Sequence, residues 1–90
     1  MPIKQEVFFD GLGFEPIEFE YGFGKRTCYK APTGGYWRID YFSNIFVIEF
    51  AETEEEARQN FFDDGDTYEY LNDDRIIEEI RTDLIKFSKN

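Results

Sequence analysis

The chain has 90 residues, enough for a single domain spanning 1–90, and its 20 acidic and 10 basic side chains give a formal net charge of −10. It contains no histidine and one cysteine, which excludes a histidine general base, an intramolecular disulfide and a multi-cysteine zinc site. Aromatic residues make up 20% of the chain, which argues against intrinsic disorder.

Charge and hydropathy also limit the partners and the location. A strongly negative protein repels DNA, RNA and anionic lipid, so we expect no direct nucleic-acid or membrane binding. The longest mostly apolar run, residues 45–51, is too short to span a bilayer, and the N-terminus lacks the apolar core of a signal peptide. Together with the lone Cys28, these features predict a soluble cytoplasmic protein without a cofactor.

The first segment with a pattern is residues 3–10. Its apolar residues Ile3, Val7 and Phe8 have helical spacing, and glycines follow at positions 11 and 13. A short amphipathic helix is predicted, and a strand is the alternative.

Alternating patterns then predict four strands. Ile17, Phe19 and Tyr21 alternate with Glu18 and Glu20, as expected for a half-buried strand. Short turn sequences separate the later segments, which favours an antiparallel meander. The predicted strands cover residues 17–23, 25–31, 36–42 and 45–50.

Helical signals occupy most of the remaining chain. Thr53 and Glu56 form a capping box that begins a helix, for which Ala57 and Phe61 are the predicted buried stripe and Gly65 the end. Residues 67–71 are predicted to be extended, and a longer helix follows, capped by Asn72 or Asp73. The fold class is therefore α+β: a four-stranded antiparallel meander sheet with a short N-terminal helix and two C-terminal helices packed on one face.

The acidity is confined to one part of the chain. Residues 49–79 hold thirteen acidic and two basic side chains, a net charge of −11, whereas eight basic and seven acidic residues elsewhere give +1. We predict a partner-binding ridge on a loop between two helices. Its residues are Asp63, Asp64, Asp66, Tyr68, Glu69, Tyr70, Asp73 and Asp74.

Other interpretations of these residues stay open. The glutamates at 54–56 and 78–79 are also typical of solvated helix faces, and Tyr68 and Tyr70 of packing at a sheet edge. An EF-hand is excluded, because its sixth and twelfth positions counted from Asp64 would be Glu69 and Arg75, but simpler binding of a divalent cation is left open. No catalytic arrangement emerges, so we expect a protein that is not an enzyme.

Residues 49–87 resemble small acidic bacterial proteins of the toxin-immunity type. The resemblance lies in Ala-Glu-Thr-Glu-Glu-Glu-Ala at 51–57, Phe-Asp-Asp-Gly-Asp-x-Tyr at 62–68 and Ile-x-x-x-Ile-Arg-x-Asp-Leu at 76–84. It implies inhibition by binding, in which an acidic protein covers the basic site of a nuclease or another toxin.

Two functional hypotheses follow. The first is a non-enzymatic acidic binding module, an immunity or inhibitor protein that covers a basic surface of a protein partner. The alternative is a structural, self-associating domain that dimerises through an open, aromatic sheet face. The residues predicted on that face are Tyr36, Arg38, Asp40 and Phe42, with Phe46 or Ile48.

Overall fold

The structure is a computed structural model that describes residues 2–88. These residues form an α+β domain, as predicted, with five strands in one antiparallel meander of order β1-β2-β3-β4-β5. No helix in the described range is long and apolar enough to cross a membrane. The elements are α1 (Glu6–Phe9), β1 (Glu15–Tyr21), β2 (Gly24–Lys30), β3 (Tyr36–Phe42), β4 (Ile45–Ala51), α2 (Glu54–Arg58), β5 (Asp63–Glu69) and α3 (Asp73–Ser88).

The fifth strand replaces part of a predicted helix. The capping box is present, since the Thr53 hydroxyl accepts from the Glu56 amide and the Glu56 carboxylate accepts from the Thr53 amide. The helix nevertheless ends at Arg58, and Asn60 follows with a left-handed φ of 63°. A helix with only Ala57 buried gains little from packing, whereas residues 63–69 gain a hydrogen-bonding partner in β4 along most of their length.

The helices cover both faces of the sheet, so the prediction that they share one face is wrong for α2. On one face α1 and α3 enclose Phe8, Phe46 and Ile80, which are fully buried. On the other face Ala57 of α2 packs in a second cluster with Phe19, Cys28, Tyr36 and Ala51. The reason is that β4 is apolar on both sides, and each side requires a cover.

The N-terminal segment joins two strands that have separated. β2 and β3 pair only at Tyr29–Trp37 and Lys30–Tyr36. In the gap, Gln5 Nε2 donates to the Thr27 carbonyl at 3.0 Å and Gln5 Oε1 accepts from the Ile39 amide at 2.7 Å. A side-chain amide therefore takes the place of missing sheet hydrogen bonds, which fixes the start of α1 on the sheet.

Candidate partner-binding surface on the fifth strand

The predicted acidic ridge lies mostly on a strand. Four of its carboxylates are exposed on β5, which is an edge of the sheet, and we call this element the acidic strand. They belong to Asp63, Asp64, Asp66 and Glu69. Seven residues of strand extend over roughly 20 Å, so Asp63 lies far from the first turn of α3, which begins at Asp73. The structure therefore divides the predicted ridge into two parts, one on β5 and the other at the start of α3.

A β-bulge changes the direction of the side chains in the first half of the acidic strand. Asp64 pairs with Glu49 and Thr67 with Val47, so Gly65 and Asp66 together oppose Ile48. Glycine suits this position, because a Cβ on Gly65 would lie 3.0 Å from the Ile48 carbonyl oxygen, which is a tight contact. Bulges break the alternation of side chains between the two faces. As a result, residues 63–66 all line one groove.

The acidic strand carries several exposed carboxylates close together without a basic partner among residues 2–88. Within residues 2–88, none of its four carboxylates forms an ion pair, although five carboxylates elsewhere do. These five pairs are Glu18–Lys25, Asp40–Arg26, Glu49–Arg38, Glu54–Arg58 and Glu79–Arg75. The like charges on β5 are thus not relieved by a described neighbour. A cationic partner would relieve them.

The two tyrosines of the predicted ridge have different environments. Tyr68 is only 8% exposed, packs with the core around Phe46, and donates its hydroxyl to Asp83 Oδ2 at 2.5 Å. Burial, reinforced by that carboxylate, raises the pKa of Tyr68. Tyr70 is half-buried, meets Tyr41 edge-on, and donates its hydroxyl to Asp73. Tyr70 can contact a partner, whereas the ring of Tyr68 belongs to the core.

The remaining two acidic residues begin α3. The Asn72 side chain accepts from the Arg75 amide at 2.9 Å and caps the helix, so Asp73 and Asp74 occupy its first turn. Carboxylates there are favoured by the helix dipole. Both side chains are exposed, so helix stability explains them, and contact with a partner remains a prediction.

An aromatic groove beside the acidic strand was not predicted from the sequence. Trp37 stacks on Phe87 with centroids 5.6 Å apart and planes within 7°, and contacts Phe50 at 4.4 Å. These rings form the floor of an open pocket of about 340 Å³, with residues 63–66 along its rim. We call this pocket the aromatic groove. Strand alternation places Trp37 and Phe50 on one face, but only the unpredicted β5 supplies the carboxylates.

The groove is held together at the end of α3. Thr33 Oγ1 in the turn between β2 and β3 donates to the Ser88 carbonyl at 2.5 Å, which fixes Phe87 beside Trp37. The indole N–H of Trp37 is buried and has no hydrogen-bond acceptor among the described residues. Packing against the core and contacts with the rings of Phe50 and Phe87 therefore set the position of the Trp37 ring.

The predicted open aromatic sheet face is not formed. Tyr36 is 6% and Arg38 5% exposed, because α2 and the segment after it cover them. Phe46 and Ile48 lie on the opposite face, in the main core. Phe42 alone is exposed among the hydrophobic residues of the predicted patch. The basis for self-association through this face is therefore missing.

The loop before β5 differs from the prediction in which of its two phenylalanines packs inward. Phe61, predicted to be a core residue, is 62% exposed, and its neighbour Phe62 is the residue that packs inward. The Phe62 ring lies 3.9 Å from Arg38 Cζ, and Arg38 donates to Glu49 at 2.6 Å and to Asn60 at 2.7 Å. Once the helix ends at Arg58, the chain changes direction, and Phe62 instead of Phe61 is the residue that is partly buried.

The described residues offer neither an activated cysteine nor a cluster of metal-ligating side chains. Cys28 is 2% exposed, and burial raises the pKa of its thiol to about 11. A thiol in this state stays protonated at neutral pH and is a poor nucleophile. No group of three or more cysteine or acidic side chains within residues 2–88 is arranged to hold a metal ion.

Comparisons of the chain with protein-family models, curated proteins and solved structures give no significant match. A functional proposal therefore depends on the chemistry of the described surface.

Proposed function

We propose that the protein is a non-enzymatic binding module that docks on a basic surface of a protein partner through its acidic strand. The observation that carries the proposal is the set of four exposed carboxylates on an edge strand, none of which pairs with a described basic group. Such a surface is costly to maintain in isolation and is relieved when a cationic surface covers it.

Inhibition is the most direct consequence of this kind of docking. A protein that covers a basic surface competes with whatever anionic substrate that surface binds, as in the immunity-type proteins that residues 49–87 resemble. The proposed contact surface consists of Asp63, Asp64, Asp66 and Glu69, extended by Tyr70, Asp73 and Asp74 at the far end of β5. Tyr68 is omitted because its ring is buried.

Charge-matched variants test the proposal. In the test variant, Asp63, Asp64 and Asp66 are each replaced by Lys. In the control, Asp10, Glu20 and Glu78 are each replaced by Lys; these residues are exposed, form no ion pair within residues 2–88 and lie outside the proposed surface. The net charge of both variants changes equally, so a difference between them reports the location of the charge.

Each protein is used to capture partners from the native host, and mass spectrometry identifies the captured proteins. Association rates with the captured partner are then measured at several salt concentrations. We expect a basic partner that associates at least about tenfold more slowly with the test variant than with the control, and with a weaker salt dependence. Equal association rates for the two variants, or capture of no basic protein, would contradict the proposal.

A further inference from the structure

The aromatic groove combines two features that attract organic cations. Its floor presents the rings of Trp37, Phe50 and Phe87, and its rim carries Asp63 and Asp66. Aromatic faces attract cations through the ring quadrupole, and carboxylates do so through charge and hydrogen bonding. The β-bulge brings the two features together, because it turns successive residues of the acidic strand toward the groove.

The same combination already binds a guanidinium elsewhere in this chain. Arg38 places its Cζ atom 3.9 Å from the centre of the Phe62 ring while its Nε donates to Glu49 at 2.6 Å. An aromatic face and a carboxylate hold the arginine side chain there, together with the Asn60 side-chain oxygen, which accepts from Arg38 at 2.7 Å. The aromatic groove offers the first two kinds of group, and within residues 2–88 no basic side chain lines it.

We propose that the aromatic groove binds the side chain of one arginine from the basic partner, an inference that rests on the proposed function and names the anchor of that contact. The guanidinium plane would lie against the aromatic floor, and its N–H groups would donate to the carboxylates of the rim. Arginine is the favoured occupant because it is planar, weakly hydrated and able to hydrogen bond in several directions, whereas lysine is a strongly hydrated point charge.

The structure also indicates that little side-chain conformational entropy would be lost on binding. Trp37 and Phe87 are stacked in the absence of a ligand, and the hydrogen bond from Thr33 to Ser88 fixes the end of α3. A pre-formed site avoids part of the entropy cost of ordering side chains. The arginine is therefore expected to act as an anchor of the contact between the two proteins.

The single tryptophan provides the assay, because in ¹⁵N-labelled protein the one indole N–H signal, that of Trp37, reports on the groove. The probes are acetyl-Gly-Arg-Gly-amide and two matched peptides in which Lys or citrulline replaces Arg. Citrulline has nearly the shape of arginine without its charge. The protein is titrated with each peptide, and with Ca²⁺ alone, while ¹H–¹⁵N spectra are recorded.

Two pairs of substitutions locate the binding. Asp63→Asn with Asp66→Asn removes charge from the rim while keeping the side-chain size. Asp10→Asn with Glu78→Gln is the control, because both residues are exposed and lie outside the proposed surface. Phe87→Leu removes a ring but keeps an apolar side chain. We expect saturable shifts of the Trp37 signal with the arginine peptide, about fivefold weaker binding for the rim variant and for F87L, and unchanged binding for the control.

Three results would overturn the inference. These are equal binding of the lysine or citrulline peptide, equal weakening by the rim and control pairs, and a shift of the same signal by Ca²⁺ alone. The two proposals fail separately. If the arginine peptide does not bind but the lysine variant of the acidic strand loses the captured partner, only the arginine pocket is wrong. If the peptide binds but partner association is unaffected, the docking proposal is wrong.

Discussion

Arg38 and Glu49 form an ion pair that is buried on the sheet face covered by α2, and replacing Arg38 by Met removes one partner only. The two side chains are 6% and 11% exposed, and Arg38 also donates to Asn60. A buried carboxylate left without its partner costs about 3–5 kcal/mol. The whole domain is expected to be stable by roughly 5–13 kcal/mol at this chain length, so R38M should fold but lose a large part of its stability at pH 7.

The loss should depend on pH because Glu49 is a titrating group. Burial raises the pKa of Glu49 above its ordinary value of 4.5 even though Arg38 lowers it. A carboxyl whose pKa is higher in the folded than in the unfolded state stabilises the fold below the unfolded pKa. That contribution is lost as the pH rises through the folded pKa. Without Arg38 the pKa of Glu49 rises further, so the free energy of unfolding of R38M should fall more steeply with pH, by at most about 1.4 kcal/mol per unit.

Urea unfolding followed by Trp37 fluorescence measures both effects at pH 5 and pH 7.5. R38M should show a smaller deficit at pH 5, and the double variant R38M/E49L should recover to within about 1 kcal/mol of the native protein because no buried charge remains. An equal loss of unfolding free energy at the two pH values, or a double variant no more stable than R38M, would refute the role assigned to the unpaired Glu49 carboxylate.

Three further predictions concern other parts of the fold. Replacing Gln5 by Ala should cost about 1–3 kcal/mol and accelerate amide hydrogen exchange at Ile39, whose N–H loses its acceptor; unchanged exchange there would contradict the bridging role. Gly35→Ala should lower the unfolding free energy by about 2 kcal/mol, measured by urea titration, because Gly35 has φ +82° and a Cβ would lie 2.7 Å from Phe50 Cε1. Iodoacetamide at pH 8 should modify Cys28 slowly in the native protein and quickly in urea, as its thiol is buried with a pKa of about 11; equal rates would show that the thiol is accessible.

Most of the fold could be predicted because hydrophobic periodicity and turn sequences are local features of the chain. β1 to β4 alternate or carry continuous apolar runs between recognisable turns, and the structure contains all four. The end of β5 falls within the predicted extended segment 67–71, but its first half could not be predicted in the same way, since Asp-Asp-Gly-Asp has low strand propensity and no apolar alternation. It becomes a strand only because β4 offers an unpaired edge, which is a tertiary effect.

The candidate site was predicted less completely, for the same reason. The acidic residues of this segment are selected by their charge and Tyr68 as a possible interface anchor, and neither criterion shows which side chains face the core. Once the segment is a strand, Tyr68 points into the core, and the bulge at Gly65 brings the carboxylates to Trp37 and Phe87. These contacts join residues from three distant parts of the chain, which no pattern within one segment contains.

Charge on an edge strand can protect the edge from pairing or can bind a partner. The two edges of this sheet differ in a way that distinguishes the two roles. Charged side chains at an edge strand prevent pairing between copies, and both β1 and β5 carry acidic residues. On β1, however, Glu15 and Glu20 lie opposite Lys30 and Lys25 of the next strand, so their charge is compensated nearby. β5 has no basic residue and pairs with an apolar strand that offers none. Edge protection would be served equally by lysine or by a compensated edge. Edge protection therefore accounts for charge on both edges, but it does not explain why negative charge is left uncompensated on only one of them, and this difference is what the docking proposal addresses.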